Sequence, residues 1–237
     1  MIGLFRPSGG VMFHARAWRH EKLWQGFNVA IAQWLESWDA PRDELILIGP
    51  SGGYTLPVNW LRSFRQIYAY DTDPLVPWLF PKRHPYARVK FIRSDVFWKS
   101  GRLSLSPLKK ILSDHPKASI AFCNVLGQLP LEGDFNEHQW EIYLYELRLL
   151  MKDRKWASYH DLATIEPIPL ERHQKVLNEY YNSDGKDLKR ALGGVRKRNV
   201  TITDHLMRGR WTADLDKRMF AWSLTTTSLH VIEAVRN

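Results

Sequence analysis

One stretch, residues 45–73 (LILIGPSGGYTLPVNWLRSFRQIYAYDTD), leaves this chain few ways to fold. Ile46, Leu47 and Ile48 form an apolar run that stops at Gly49-Pro50-Ser51-Gly52-Gly53, and Ile67-Tyr68-Ala69-Tyr70 form a second run that stops at Asp71. Apolar runs without polar alternation suit parallel strands buried on both faces. Between them Leu56, Trp60, Leu61 and Phe64 recur at helical spacing, and Pro57 suits a first helical turn, where its missing N–H costs nothing. The pattern predicts strand, glycine turn, helix, strand: a βαβ unit with a right-handed crossover. Ligands of such sheets bind beyond the carboxyl ends of the strands, where the glycines and Asp71 meet.

The rest of the chain extends this alternation. Trp24, Phe27, Ile31, Trp34 and Leu35 share one helical face over residues 20–38. Pro81 and Pro85 interrupt the segment after Asp73, which argues against a long helix there. Residues 88–93 alternate like a strand and deliver Ser94-Asp95. Ser106-Pro107 reads as an N-cap followed by a first-turn proline, and His115-Pro116 ends that helix. A buried strand at 118–123 closes on Asn124, a long amphipathic helix covers 136–151, and a strand at 156–159 ends in His160-Asp161. Residues 171–181 look helical. The runs at 219–224 and 229–235 are joined by a connection too short to cross a sheet, so they pair antiparallel. Strand ends thus bring the glycine turn, Asp71, Asp95, Asn124 and His160-Asp161 toward one cleft.

Composition removes several alternatives. With 237 residues, 44% of them hydrophobic, the chain can bury a substantial core. Cys123 is the only cysteine, which rules out an internal disulfide and a cysteine-based metal cluster and suits a reducing cytoplasm; lying in a strand, it is expected to be a buried, inert thiol. His14, His138, His173 and His205 lack metal-ligand spacing, so no metal is expected. No run approaches the ~20 apolar residues of a membrane span, and the N-terminus lacks the pattern of a signal peptide, so a soluble cytoplasmic protein is expected. The net charge of +9 is uneven. Residues 186–210 hold Lys186, Lys189, Arg190, Arg196, Lys197, Arg198, Arg208 and Arg210 against Asp187 and Asp204, and residues 82–93 hold Lys82, Arg83, Arg88, Lys90 and Arg93 with no acid. Either cluster can attract nucleic acid or a phosphorylated substrate, or can simply be a solvated face.

Taken together, the glycine turn after the first strand, Asp71 ending the second, Asp95 ending the third and the terminal hairpin resemble the Rossmann-like (class I) S-adenosylmethionine-dependent methyltransferases. The resemblance covers roughly residues 20–237 in architecture and residues 45–73 and 95 by motif. It implies an α/β fold: a seven-stranded, mostly parallel sheet with helices on both faces and a C-terminal antiparallel hairpin. Residues 1–40 would form a helical cover, and residues 41–237 the main domain with a basic insertion at about 183–217. It also implies S-adenosylmethionine as cofactor, with Gly49, Ser51 and Gly53 beside its methionine part and ribose, Asp71 on the ribose hydroxyls and Asp95 on the adenine. A carboxylate at a strand end suits a ribose diol independently, because it accepts two hydrogen bonds.

The sequence departs from the family at Ser51, in place of the usual second glycine, and at Leu47, where many members carry an acid. A dinucleotide fingerprint fails instead at Tyr54, where it needs a third glycine for close helix packing. Gly49-Pro50-Ser51-Gly52-Gly53 has the spacing of a G-x-S-x-G hydrolase elbow, but its serine lies in the middle of a glycine turn and has no evident His/Asp partnership, so a hydrolase is not expected. After the fourth strand, Asn124 either orients a methyl acceptor or caps the following turn, and Asn124-Val125-Leu126-Gly127 lacks the Asn/Asp-Pro-Pro-aromatic signature of the amino-methylating nucleic-acid enzymes. His160-Asp161 is the candidate base pair, because histidine titrates near neutrality. The leading expectation is a methyltransferase of unknown acceptor, and the alternative is an inactive Rossmann-like module that holds nucleic acid through its basic faces.

Overall fold

The computed structural model describes residues 10–133, 136–182, 200–207, 209 and 215–237. Its elements run α1 (Gly10–Arg19), α2 (Glu21–Glu36), β1 (Glu44–Ile48), α3 (Val58–Arg62), β2 (Gln66–Asp71), α4 (Val76–Arg83) and β3 (Val89–Arg93). A small hairpin, β4 (Trp98–Lys99) and β5 (Arg102–Leu103), precedes α5 (Ser106–Asp114) and β6 (Ser119–Cys123). Then come α6 (Leu129–Glu132), α7 (Glu137–Met151), β7 (Trp156–Glu166), α8 (His173–Asn182), β8 (Thr201–Asp204), β9 (Asp216–Ser223) and β10 (Leu229–Arg236).

The main sheet has the order β3-β2-β1-β6-β7-β10-β9, with β8 laid along β7 off that path. Neighbours from β3 through β7 pair in parallel, whereas β10 runs antiparallel to both β7 and β9. Only β10 is therefore reversed within the seven-strand path. The order changes direction between β1 and β6, the switch point beyond whose carboxyl ends sheets of this kind bind ligands.

Alternation along β1 explains why both faces are covered. Ile46 and Ile48 join the core under α5 and α7, with Leu108, Leu112, Trp140, Leu144 and Leu147. Leu45 and Leu47 join the opposite core under α2 and α3, with Trp24, Ile31, Trp34, Trp60 and Leu61. The largest fully buried side chains are Trp24, Trp34, Trp60, Trp140 and Trp222, so the tryptophan-rich composition is mostly core. α7 opens on a capping box, in which Asn136 accepts from the Gln139 N–H and Gln139 accepts from that of Asn136.

The mostly parallel α/β architecture agrees with the sequence reading, and its details differ at several points. α1 forms within residues that carry no clear pattern. Pro57 is the extended residue before α3 rather than part of its first turn, and Leu105, not Ser106, is the N-cap of α5. α4 forms despite its prolines, because Pro77 lies in the first turn, where no donor is needed, and Pro81 removes a single donor from a short helix. β7 does not end at Tyr159: it continues to Glu166, pairing with β8 where β6 has ended and with β10 along its other edge. Of the basic segment, Thr201–Asp204 is a strand; Lys186, Lys189, Arg190, Arg196, Lys197, Arg198, Arg208 and Arg210 lie outside the described residues. Among the described residues no helix is long and apolar enough to cross a membrane.

Candidate functional site

The glycine turn leaves β1 at the carboxyl edge, and its backbone requires left-handed conformations: φ is +66° at Gly49, +49° at Ser51 and +71° at Gly53. At Gly53 a Cβ would come within 2.6 Å of His84 Nε2 and 2.9 Å of Phe80, so α4 can lie on the turn only because that Cβ is missing. His84 Nε2 donates to the Gly53 carbonyl at 2.9 Å, which ties the end of α4 to the turn. Serine tolerates the strained position 51 because its N–H reaches Asp71 Oδ2 at 2.8 Å. Asp71 Oδ1 accepts the Asp73 N–H at 2.9 Å. Burial pushes the Asp71 carboxyl above its ordinary value, against the opposing effect of these N–H donors. The Thr72 N–H acts on the same carboxylate, which with about four lone-pair sites braces the turn without exhausting its capacity to accept.

α1 lies over this turn. His14 Nε2 donates to Asp73 Oδ2 at 2.8 Å, and its Nδ1 is hydrogen-bonded to the Tyr54 hydroxyl at 2.9 Å. Burial pushes the Asp73 carboxyl up, but the His14 hydrogen bond and the N–H groups of Leu75 and Gly10 outweigh it and hold the group below its usual range. The Tyr54 ring folds back over Gly52, where a Cβ would lie 2.6 Å from it. Arg83 stacks 4.8 Å above the same ring and pairs with Glu21 at 2.8 Å, so one of the cations in residues 82–93 has an internal partner. Lys82 Nζ sits 3.3 Å above the Trp78 ring.

The second half of the edge is built on β6 and β7. Asn124 turns the chain with φ of +55°, and its N–H donates to Tyr159 O at 2.8 Å. The next residue, Val125, packs where a Gly49 Cβ would be only 3.1 Å away, which joins this loop to the glycine turn. A second tie is the 2.7 Å hydrogen bond between the hydroxyls of Thr55 and Tyr159. Gly127 lets the 3-10 turn Leu126–Gln128 rest on β7, because a Cβ there would lie 2.5 Å from Asp161 O.

Asp161 is fully buried at the centre of the resulting cluster. Its Oδ1 accepts from His230 Nδ1 at 2.6 Å, and its Oδ2 accepts from Asn124 Nδ2 at 3.0 Å and from Gln128 Nε2. Burial alone would raise this carboxyl, but the adjacent His230 outweighs it and keeps the group below its ordinary value. His205 supports the same loop, donating from Nδ1 to Gly127 O at 2.6 Å and accepting through Nε2 from Thr164 Oγ1 at 2.8 Å. His230 retains 9% exposure, and Asn124 Oδ1 is buried with no hydrogen bond among the described residues.

His160 does not join Asp161, which corrects the expected base pair. Successive strand residues point to opposite faces. His160 is fully buried, bonds Ser158 Oγ at 3.0 Å through Nδ1 and faces Glu233 at 3.8 Å; burial, partly offset by Glu233 and Asp161, pushes it below its ordinary value. The histidine that meets Asp161 is His230, which sequence reasoning missed. Its signal was indirect: the start of a reversed strand lies at the carboxyl edge of the others. Asp95 is exposed and closes its own loop, accepting the N–H groups of Phe97 at 3.1 Å and Trp98 at 3.0 Å. Cys123 is buried as expected, with burial pushing its thiol up to about 12.

The edge therefore carries a glycine turn braced by the acid ending the second strand, beside a loop after the fourth, in a sheet whose seven-strand path is reversed at β10, the last strand in the chain. This is a Rossmann-like α/β fold. The structure overlaps that of magnesium protoporphyrin IX methyltransferase from Synechocystis with bound SAH over 97% of this chain and 89% of that one, at 14% identity and a TM-score of 0.46. The N-methyltransferase NodS from Bradyrhizobium japonicum, in complex with S-adenosyl-L-homocysteine, overlaps over 95% and 96%, at 9% identity and a TM-score of 0.48. A SAM-dependent methyltransferase from Anabaena variabilis overlaps over 94% of both chains, at 14% identity and a TM-score of 0.48. No protein-family model and no curated protein matches the sequence.

Proposed function

We propose that the chain is an S-adenosylmethionine-dependent methyltransferase in which His230, held by Asp161, takes the proton that its acceptor releases. The observation that carries this reading is the Asp161 carboxylate, fully buried at the carboxyl edge and shared by His230 and Asn124. The available groups fit the cofactor. Asp71 has lone pairs to spare for a ribose diol, Gly49 and Gly53 bring main chain to the edge without a Cβ, and Asn124 Oδ1 is a buried acceptor in want of a donor. When bound, S-adenosylmethionine supplies a methyl group activated by its sulfonium.

The protein's part is positioning and proton transfer. Because Asp161 accepts the Nδ1–H of His230, the neutral ring holds its free lone pair on Nε2. That atom takes the proton from an acceptor hydroxyl or amine as the new bond to carbon forms. Asn124 and Gln128 fix the carboxylate from its other oxygen and keep the imidazole aligned. Ser51 remains a turn residue beside the methionine part, and Asp95 would reach the adenine by opening the loop it now closes.

The test pairs binding with transfer. Wild-type protein and His230→Asn should bind S-adenosylmethionine equally in a calorimeter, while transfer of a labelled methyl group into a cell extract should be lost only in the variant. Undiminished transfer by His230→Asn would remove the histidine from the reaction.

A further inference from the structure

The opposite, amino-terminal edge of the sheet carries a groove of about 410 Å³ whose lining includes Arg42, Arg62, Arg65, Arg88, Phe64 and Tyr86 and no acidic residue. Topology explains the convergence. Arg42, Arg65 and Arg88 lie just ahead of β1, β2 and β3, which are neighbours in the sheet, so the three lead into adjacent strands at one edge. Arg62 ends α3 beside them. None of the four is ion-paired among the described residues, although Asp39 lies close enough to Arg42 to act on its charge. Arg42 donates from Nη2 to Trp38 O at 2.9 Å and stacks 4.8 Å over Phe64, while its Nη1 is buried with no hydrogen bond among the described residues. A buried donor of a permanently charged guanidinium is costly to leave unmade, which favours negative charge at this end of the groove. Tyr86, 71% exposed, presents its ring beside Arg62, whose guanidinium lies 5.1 Å from the ring centre.

We infer that this groove binds single-stranded nucleic acid, with successive phosphates on the row of arginines and a base stacked on Tyr86. A free phosphate has no use for an exposed ring, whereas a strand needs both a cationic track and an aromatic platform. The cations are arginines, which present planar forks to phosphate oxygens. The inference does not depend on methyl transfer, because the cofactor groups lie at the other edge.

Fluorescence anisotropy of the full chain with a labelled ten-nucleotide oligouridylate tests it. The logarithm of affinity should fall linearly with that of salt, and each of Arg62→Ala and Arg88→Ala should flatten that slope by about 0.7. Tyr86→Ala should weaken binding roughly 5-fold to 100-fold with little change of slope. These side chains are exposed, so the variants should fold, which thermal unfolding checks. S-adenosylmethionine affinity should stay unchanged in all three, so loss of cofactor binding in wild type would count against the catalytic reading alone. Unaltered oligonucleotide affinity in the Arg62→Ala, Arg88→Ala double variant would overturn the proposal, as would binding of inorganic phosphate without binding of the strand.

Discussion

The two edges of the sheet handle charge in opposite ways. At the carboxyl edge Asp71, Asp73 and Asp161 are enclosed, and every one of them accepts hydrogen bonds from the chain itself. At the amino edge Arg62, Arg65 and Arg88 stay in solvent. A buried carboxylate is tolerable only with donors in place, so the first edge must be assembled as the protein folds. Exposed guanidiniums remain hydrated at little cost, and their charge is left for a partner. Substitutions of these acids should therefore disturb the structure of the first edge, and substitutions of the arginines at the second should leave stability and cofactor binding unchanged.

The largest expected effect is at Asp161. Asp161→Ala leaves His230, Asn124 and Gln128 facing a void and should lower the unfolding free energy by about 3–5 kcal/mol, measured in urea. A loss below about 1 kcal/mol would mean that the cluster does not hold the edge together. The sign with pH follows from its depressed carboxyl: its stabilising contribution is complete above the ordinary aspartate value and is lost as pH falls through the lower folded value.

Gly53→Ala should cost about 2 kcal/mol, from the left-handed backbone and the collision with His84 and Phe80. Gly101 has a comparable φ of +75° with nothing within 4 Å of a Cβ, so Gly101→Ala should pay only the backbone part, about 1 kcal/mol. Equal losses would show that α4 does not press on the turn.

Asp71 gives a gentler test through pH. Because burial raises its pKa, the ionised form is lost at a higher pH than for an ordinary aspartate. Cofactor affinity, titrated calorimetrically at falling pH, should decline from that higher point; a flat profile down to the ordinary aspartate range would take Asp71 out of the ribose site. Smallest of all, Arg62→Ala should change stability by no more than about 0.5 kcal/mol, and a larger loss would blur the contrast between the edges.

Much of the architecture was legible because β1, β2 and β6 are short, uniformly apolar runs punctuated by glycine, aspartate or asparagine. α1 was not, since Gly10 and the polar-aromatic mixture that follows form no clear stripe and the helix is set by Asp73 and Tyr54, distant in sequence. β8 was hidden in a basic segment, because its four residues gain their strand character from the edge of β7 rather than from their own pattern. At the site, Asp71 and Asn124 could be read from strand ends, whereas Asp161, also expected at an end, lies within β7. His160 could not be judged without knowing that β7 continues past it, although period-two alternation already forbids adjacent residues from sharing a face. His230 became visible only once the terminal hairpin had a place in the sheet.

The braced glycine turn is proposed to be the cofactor site. Calorimetric titration of wild type and Asp71→Ala with S-adenosylmethionine tests it most directly. Saturable one-to-one binding by wild type is predicted, weakened in the folded variant by about 1.5–3 kcal/mol, the scale of charge-assisted hydrogen bonds. No heat from folded wild-type protein at millimolar ligand, or identical dissociation constants for the two proteins, would contradict it.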